Sequence, residues 1–123
     1  EIGLPIKEFF IWGDDVEYTQ RISKKYKGYL ATKSIVYHEM KENKEVNITF
    51  ESQERINRYF FEFRNKYYLF KNKGKKLDYY KYIIKTLYNI LFKAKDNKIN
   101  RIFIVIKGYL KGIKFNPIVD KLN

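Results

Sequence analysis

No cysteine occurs among the 123 residues. That excludes a disulfide framework, a thiolate zinc site and a cysteine nucleophile, and it fits a reducing compartment. No uncharged apolar run approaches the roughly 18 residues that suggest a membrane span. The chain opens Glu1-Ile2-Gly3-Leu4-Pro5, with no initiator methionine and no basic-then-apolar start. An enzyme seldom begins this way, so the sequence reads as a piece of a longer protein. Acidic residues are scarce in one half only. Residues 1–65 carry 11 Lys/Arg and 11 Asp/Glu, whereas residues 66–123 carry 15 Lys/Arg against Asp78, Asp96 and Asp120. The whole net charge of +12 therefore belongs to the second half.

What is present is apolar and aromatic. Hydrophobic residues make up 45% and aromatic residues 19%, too many for a disordered chain. The length suits one small domain with a modest core. The basic half points to an anionic partner, either membrane lipid or nucleic acid. An AT-rich genome, which favours Lys, Asn, Ile and Tyr codons, would produce the same lysines with no partner at all.

Periodicity predicts a mainly α chain with a short β segment. Gly3, Pro5 and Gly13 punctuate a loop or short extended piece. A helix is expected from 14 to about 26, opened by Asp14 and Glu17 as a capping box. Glu17 and Arg21 pair at i,i+4, and Val16, Thr19, Ile22 and Tyr26 share a stripe. Gly28 is a natural stop. Residues 29–38 read as a strand, with Thr32, Ile35 and Val36 β-branched. Residues 39–49 read as a polar, mobile loop. From about 52 to 72 the apolar positions Ile56, Phe60, Phe63, Tyr67 and Phe70 recur at helical spacing. Two amphipathic helices come next. The first runs from about 77 to 94, with Tyr80, Ile83, Ile84, Leu87, Ile90 and Leu91 on its apolar side. The second runs from about 99 to 113, with Ile102, Val105, Ile106 and Tyr109.

The stretch Phe9-Phe10-Ile11-Trp12-Gly13-Asp14-Asp15-Val16-Glu17-Tyr18 carries the most chemistry. Two adjacent carboxylates stand where an apolar segment meets a helix amino terminus, whose amides and dipole favour negative charge. A carboxylate held in a pocket wall can act as a general base towards a sugar hydroxyl. A neutral imidazole at His38 can turn a nitrogen towards a divalent cation. Taken singly these residues have plain structural readings: Asp14 as an N-cap, Asp15 as a first-turn acid, Trp12 as core, His38 as a strand-end histidine.

In combination, Trp12-Gly13-Asp14-Asp15-Val16-Glu17-Tyr18-x-x-Arg21 resembles the acidic motif of inverting family 2 glycosyltransferases. The spacing to His38 is similar to that in the rhamnosyl- and galactofuranosyltransferase branch. Arg58-Tyr59-Phe60-x-x-x-Arg64-Asn65-x-Tyr67 resembles a helix of the same branch. The resemblance implies the carboxyl-terminal portion of a glycosyltransferase A-type α/β fold, with carboxyl-terminal amphipathic helices added. Residues 1–73 would be the acceptor side of the catalytic domain, and 74–123 a basic helical tail.

The resemblance also implies roles. Asp15 would be the general base, supported by Asp14. Trp12 would line the acceptor site. His38 would hold the Mg²⁺ or Mn²⁺ that bridges the donor diphosphate. Arg21 would anchor its helix through Glu17, and Arg64 and Asn65 would support the active site or serve structure alone. The partners would be a nucleotide-sugar donor and a glycan or lipid-linked acceptor of cell-surface polysaccharide synthesis, at the cytoplasmic face of a membrane. The family's Asp-x-Asp occurs nowhere in this sequence. The donor site is thus expected to be missing, and the fragment inactive by itself without a bound metal. Two further readings concern charge. The two basic helices would lie on an anionic membrane. Alternatively, the chain is a nucleic-acid-binding module with Tyr67, Tyr68, Tyr79, Tyr80 and Tyr82 between lysines.

Overall fold

A computed structural model describes residues 2–37, 39 and 46–121. Among these residues there are four α-helices: α1 Asp14–Ser23, α2 Tyr59–Asn72, α3 Lys76–Lys93 and α4 Lys98–Lys114. Short 3-10 turns cover Lys7–Phe9 and Ile56–Arg58. There is no strand among the described residues. Residues 29–37 are exposed and non-helical, with a turn at Thr32 and Lys33 and no ladder partner. This corrects the expected β segment as far as residue 37. β-branched side chains favour an extended backbone, but a strand forms only where a neighbouring edge accepts its hydrogen bonds.

The bundle is α2, α3 and α4, and its main contact is α2 on α4. Gly108 and Gly112 make that contact close. A Cβ built on Gly108 would come within 2.7 Å of the Phe63 Cβ, and one on Gly112 within 2.8 Å of the Tyr67 Cβ. Glycine inside a helix costs about 0.5–1 kcal/mol relative to alanine. Here it lets two backbones approach, with Phe63 and Tyr67 filling the space. The buried core joins Ile56, Tyr59 and Phe63 to Ile90 and Ala94 of the α3 end and to Ile104 and Val105 of α4.

Ile48 belongs to the same core. The stretch expected as a mobile polar loop therefore ends in a packed turn, with Ile48 and Thr49 each 2% exposed. Arg101 explains how. It is buried, and its guanidinium donates to the Ile48 and Glu51 carbonyls and to Asp96. One side chain thus ties the turn before α2 to the amino end of α4.

Residues 2–13 lie against α2 and the carboxyl-terminal segment. Leu4 N–H donates to the Asp120 carbonyl at 2.8 Å, and Lys7 pairs with Asp120 at 3.0 Å. Phe9 is fully buried, its ring edge-on to Tyr68 and beside Phe115. α1 comes next, but the stripe expected to bury it does not. Val16 and Tyr26 are 40% and 59% exposed, and Thr19 bonds the Asp15 carbonyl. The inner face of α1 is instead the Glu17–Arg21 pair, at 2.7 Å. Arg21 also donates to the carbonyls of Ile2 and Leu4, so the helix is attached through polar bonds.

Candidate functional site

The segment before α1 is bent against the usual preference of its residues. Phe10 and Trp12 have φ of 58° and 64°, and Gly13 has 86°. Left-handed backbone costs a non-glycine residue roughly 1–2 kcal/mol. Gly13 avoids that cost, and a Cβ there would also meet Leu69 at 3.0 Å. The turn brings the carbonyls of Phe9, Ile11 and Trp12 together on one side.

Asn65 satisfies all three. Its Nδ2 lies 2.9, 3.0 and 3.0 Å from the Phe9, Ile11 and Trp12 oxygens, which share its two hydrogens. Asn65 is 1% exposed, so no water competes. Its Oδ1 accepts from Arg64 Nε at 2.9 Å, which fixes the amide orientation. Arg64 donates in turn to the Glu8 carbonyl and lies 4.1 Å over the Phe115 ring. Burial lowers the Arg64 pKa and the nearby Glu8 carboxylate opposes this. Arg64 and Asn65 therefore reach the backbone that delivers the acidic pair, and do so from α2.

Gly13 is the N-cap of α1, and Asp14 is its first residue, with no side-chain capping bond. The expected capping box is thus not formed. The left-handed Gly13 shifts the helix start one residue early, and Glu17 is drawn to Arg21. Asp14, Asp15 and Glu17 all lie in the first turn. Asp14 and Asp15 are exposed, and Asp15 Oδ1 accepts the Val16 N–H at 2.7 Å. Both carboxylates are open to solvent.

Beside them is a cleft of about 550 Å³, within the usual range for small-molecule sites. Trp12, Gly13 and Val16 form one wall, and Leu69 and Phe70 of α2 an apolar part of its lining. Lys66, Lys73, Lys75, Glu62 and Asp78 supply polar groups. Trp12 is half-buried, tilted on Tyr59 with centroids 4.9 Å apart and 5.1 Å from the Arg58 guanidinium. It is thus at once a packing residue and a wall of the cleft. Asp14 and Asp15 stand at its edge and do not line it.

His38 lies outside the described residues. Among the described residues no three His, Cys, Asp or Glu side chains are grouped to hold a metal ion.

Sequence reasoning missed Asn65 as a clamp and Glu51 as a hub. Glu51 takes Arg55 at 2.9 Å, Arg58 at 2.8 Å and the Tyr59 hydroxyl at 3.2 Å. Burial works against its ionisation. Bonds from the Ser52 N–H, Arg58 and Tyr59, with the Arg55 charge, outweigh burial and hold its carboxyl below the ordinary value. Burial raises the Tyr59 hydroxyl, and the Glu51 carboxylate adds to that. Of the five tyrosines considered as base-stacking platforms, Tyr67 and Tyr79 are buried and pack edge-to-face on each other. Tyr82 is spent on Glu62, to which its hydroxyl donates at 2.7 Å.

No family model, no curated protein and no solved structure matches the chain.

Proposed function

We propose that this chain is the acceptor-side part of an inverting nucleotide-sugar glycosyltransferase. One observation carries the reading. The two segments that resemble the family's motifs, 12–21 and 58–67, are joined by the Arg64–Asn65 clamp on the turn before Asp14 and Asp15. A buried amide spent on three carbonyls of a strained turn is a means of holding the adjoining acidic pair in one place.

In the complete enzyme, Asp15 takes the proton of the acceptor hydroxyl as its oxygen attacks the anomeric carbon of the donor. The nucleoside diphosphate leaves from the opposite face, which gives inversion. Asp14 orients the acceptor or the base. The cleft walled by Trp12 and floored by Leu69 and Phe70 receives the acceptor, its apolar side suiting a sugar face or lipid stem. The donor diphosphate and its Mg²⁺ or Mn²⁺ would be held by His38 together with an Asp-x-Asp from a donor-binding half of A-type fold. Residues 2–121 alone would then transfer nothing.

The test is Asp15→Asn in the full-length protein. A general base contributes about 10²–10⁴-fold, so turnover falls by that factor while donor affinity changes little. Turnover near wild type overturns the assignment. His38→Ala should raise the metal concentration needed for half-maximal rate, and an unchanged titration removes His38 from the site.

A further inference from the structure

α4 has two apolar faces, and the bundle uses one. Ile104, Val105, Gly108 and Gly112 are buried, the two glycines directly against α2. At about 100° per residue, Ile99, Phe103, Ile106, Leu110 and Ile113 fall on the opposite side. Their exposures run from 42% to 86%. Val105 is core, and Arg101 is buried and bonded to Ile48, Glu51 and Asp96.

The charge around the outer face is of one sign. Lys107, Lys111 and Lys114 are exposed along one margin, and α4 contains no acidic residue. At the other margin Tyr109 meets Tyr80 of α3. Ile84 and Leu91 share the Tyr80 face of α3 at helical spacing and are 68% and 50% exposed. The apolar surface thus continues from α4 onto α3. Among the described residues no helix is long and apolar enough to cross a membrane. Seventeen residues of helix measure about 25 Å and suit a position in the plane of a bilayer surface.

We propose that the outer face of α4 docks on an anionic lipid surface. Ile99, Phe103, Ile106, Leu110 and Ile113 enter the headgroup boundary, and Lys107, Lys111 and Lys114 meet the acidic headgroups. A second copy of this chain would set like charges against each other. A nucleic acid would leave four aliphatic side chains in water. The proposal stands independently of the transferase reading.

Flotation tests it, with vesicles of phosphatidylcholine alone and with about one third phosphatidylglycerol. The chain floats with the acidic vesicles at low salt, hardly with the neutral ones, and progressively less as salt shortens the Debye length below about 10 Å. Leu110→Asp lies on the exposed face, so helicity by circular dichroism is kept while partitioning falls at least about tenfold. Lys107→Gln, Lys111→Gln and Lys114→Gln each lower it about fivefold. Absence of flotation at low salt overturns the proposal, as does flotation that Leu110→Asp leaves unchanged. A sedimenting dimer abolished by Leu110→Asp, without flotation, assigns the face to a second copy. Salt-sensitive binding to DNA, without flotation, assigns the lysines to nucleic acid.

Discussion

Residues 2–23 and the α2–α4 bundle are held by different forces. The bundle is packed: Phe63, Tyr59, Ile90 and Val105 are each fully buried. The leading segment buries Ile6 and Phe9, but α1 buries only Glu17. Directed bonds from Arg21, Arg64 and Asn65 to backbone carbonyls fix its course. Apolar burial is roughly proportional to area and non-directional, so it supplies stability. Hydrogen bonds add less net stability but fix orientation. The role proposed for Asp14 and Asp15 calls for the second kind of support. The contrast teaches that the stable part and the positioned part of this protein can be weakened separately.

The strongest way to break the bundle is Phe63→Ala. It removes a fully buried ring from the α2–α4 contact and should cost about 3–5 kcal/mol in urea unfolding. Gly108→Val should cost about 1–3 kcal/mol or more, because its side chain meets Phe63 Cβ and the Phe60 carbonyl. Both variants should lower helicity and loosen the leading segment with it. A Phe63→Ala protein as stable as wild type would mean that the bundle does not rest on this contact.

Asn65→Ala should separate the two regions. Three carbonyls lose their donor, which costs about 1–3 kcal/mol. The bundle's helicity should survive. Trp12 is the sole tryptophan and sits at the end of the clamped turn, so its fluorescence should shift while far-ultraviolet dichroism holds. Asn65→Asp should not rescue, since a carboxylate cannot donate to carbonyls. An unchanged Trp12 spectrum would show that the turn keeps its shape without the amide.

Acid should weaken the Glu51 hub. Its folded pKa lies below its ordinary value of 4.5. The unfolded chain therefore takes up this proton first as pH falls. The hub's contribution is complete above about pH 4.5 and is lost as pH drops through the folded value. Glu51→Gln should remove about 1–2 kcal/mol at neutral pH and flatten the acid limb of the stability curve. Identical acid limbs would exclude Glu51 as the group responsible. The smallest effect expected is that of Arg21→Lys, about 1 kcal/mol, since the ammonium keeps one bond and loses the guanidinium fork. Faster hydrogen exchange confined to α1 would check it.

Much of the helical order was legible from spacing alone. α3 and α4 begin and end within one residue of the expected limits, and α2 ends at Asn72 as expected. α2 begins later, at Tyr59, because residues 53–58 form turns around Glu51 and Arg58. The Glu17–Arg21 pair was legible because i,i+4 contacts are local. Asn65 was visible only as part of a resemblance, because its partners lie more than fifty residues away in sequence. The role of Arg101 was not legible, since nothing nearby in sequence signals the buried carbonyl of Ile48.

The sequence by itself determined the number and order of the described helices but not every end, the Glu17–Arg21 pair, the place of Asp14 and Asp15 at a helix start and the one-sided charge. These come from periods of three to four residues and from composition. Only the tertiary structure decided which face of α4 is covered. Both faces are apolar, and the choice went to the one where Gly108 and Gly112 let the backbone of α2 come close. Tertiary structure also left residues 29–37 without a strand and gave Asn65 to the turn at Phe9–Trp12. Pairing and clamping join groups distant in sequence, and local preference carries no information about where the partner will be.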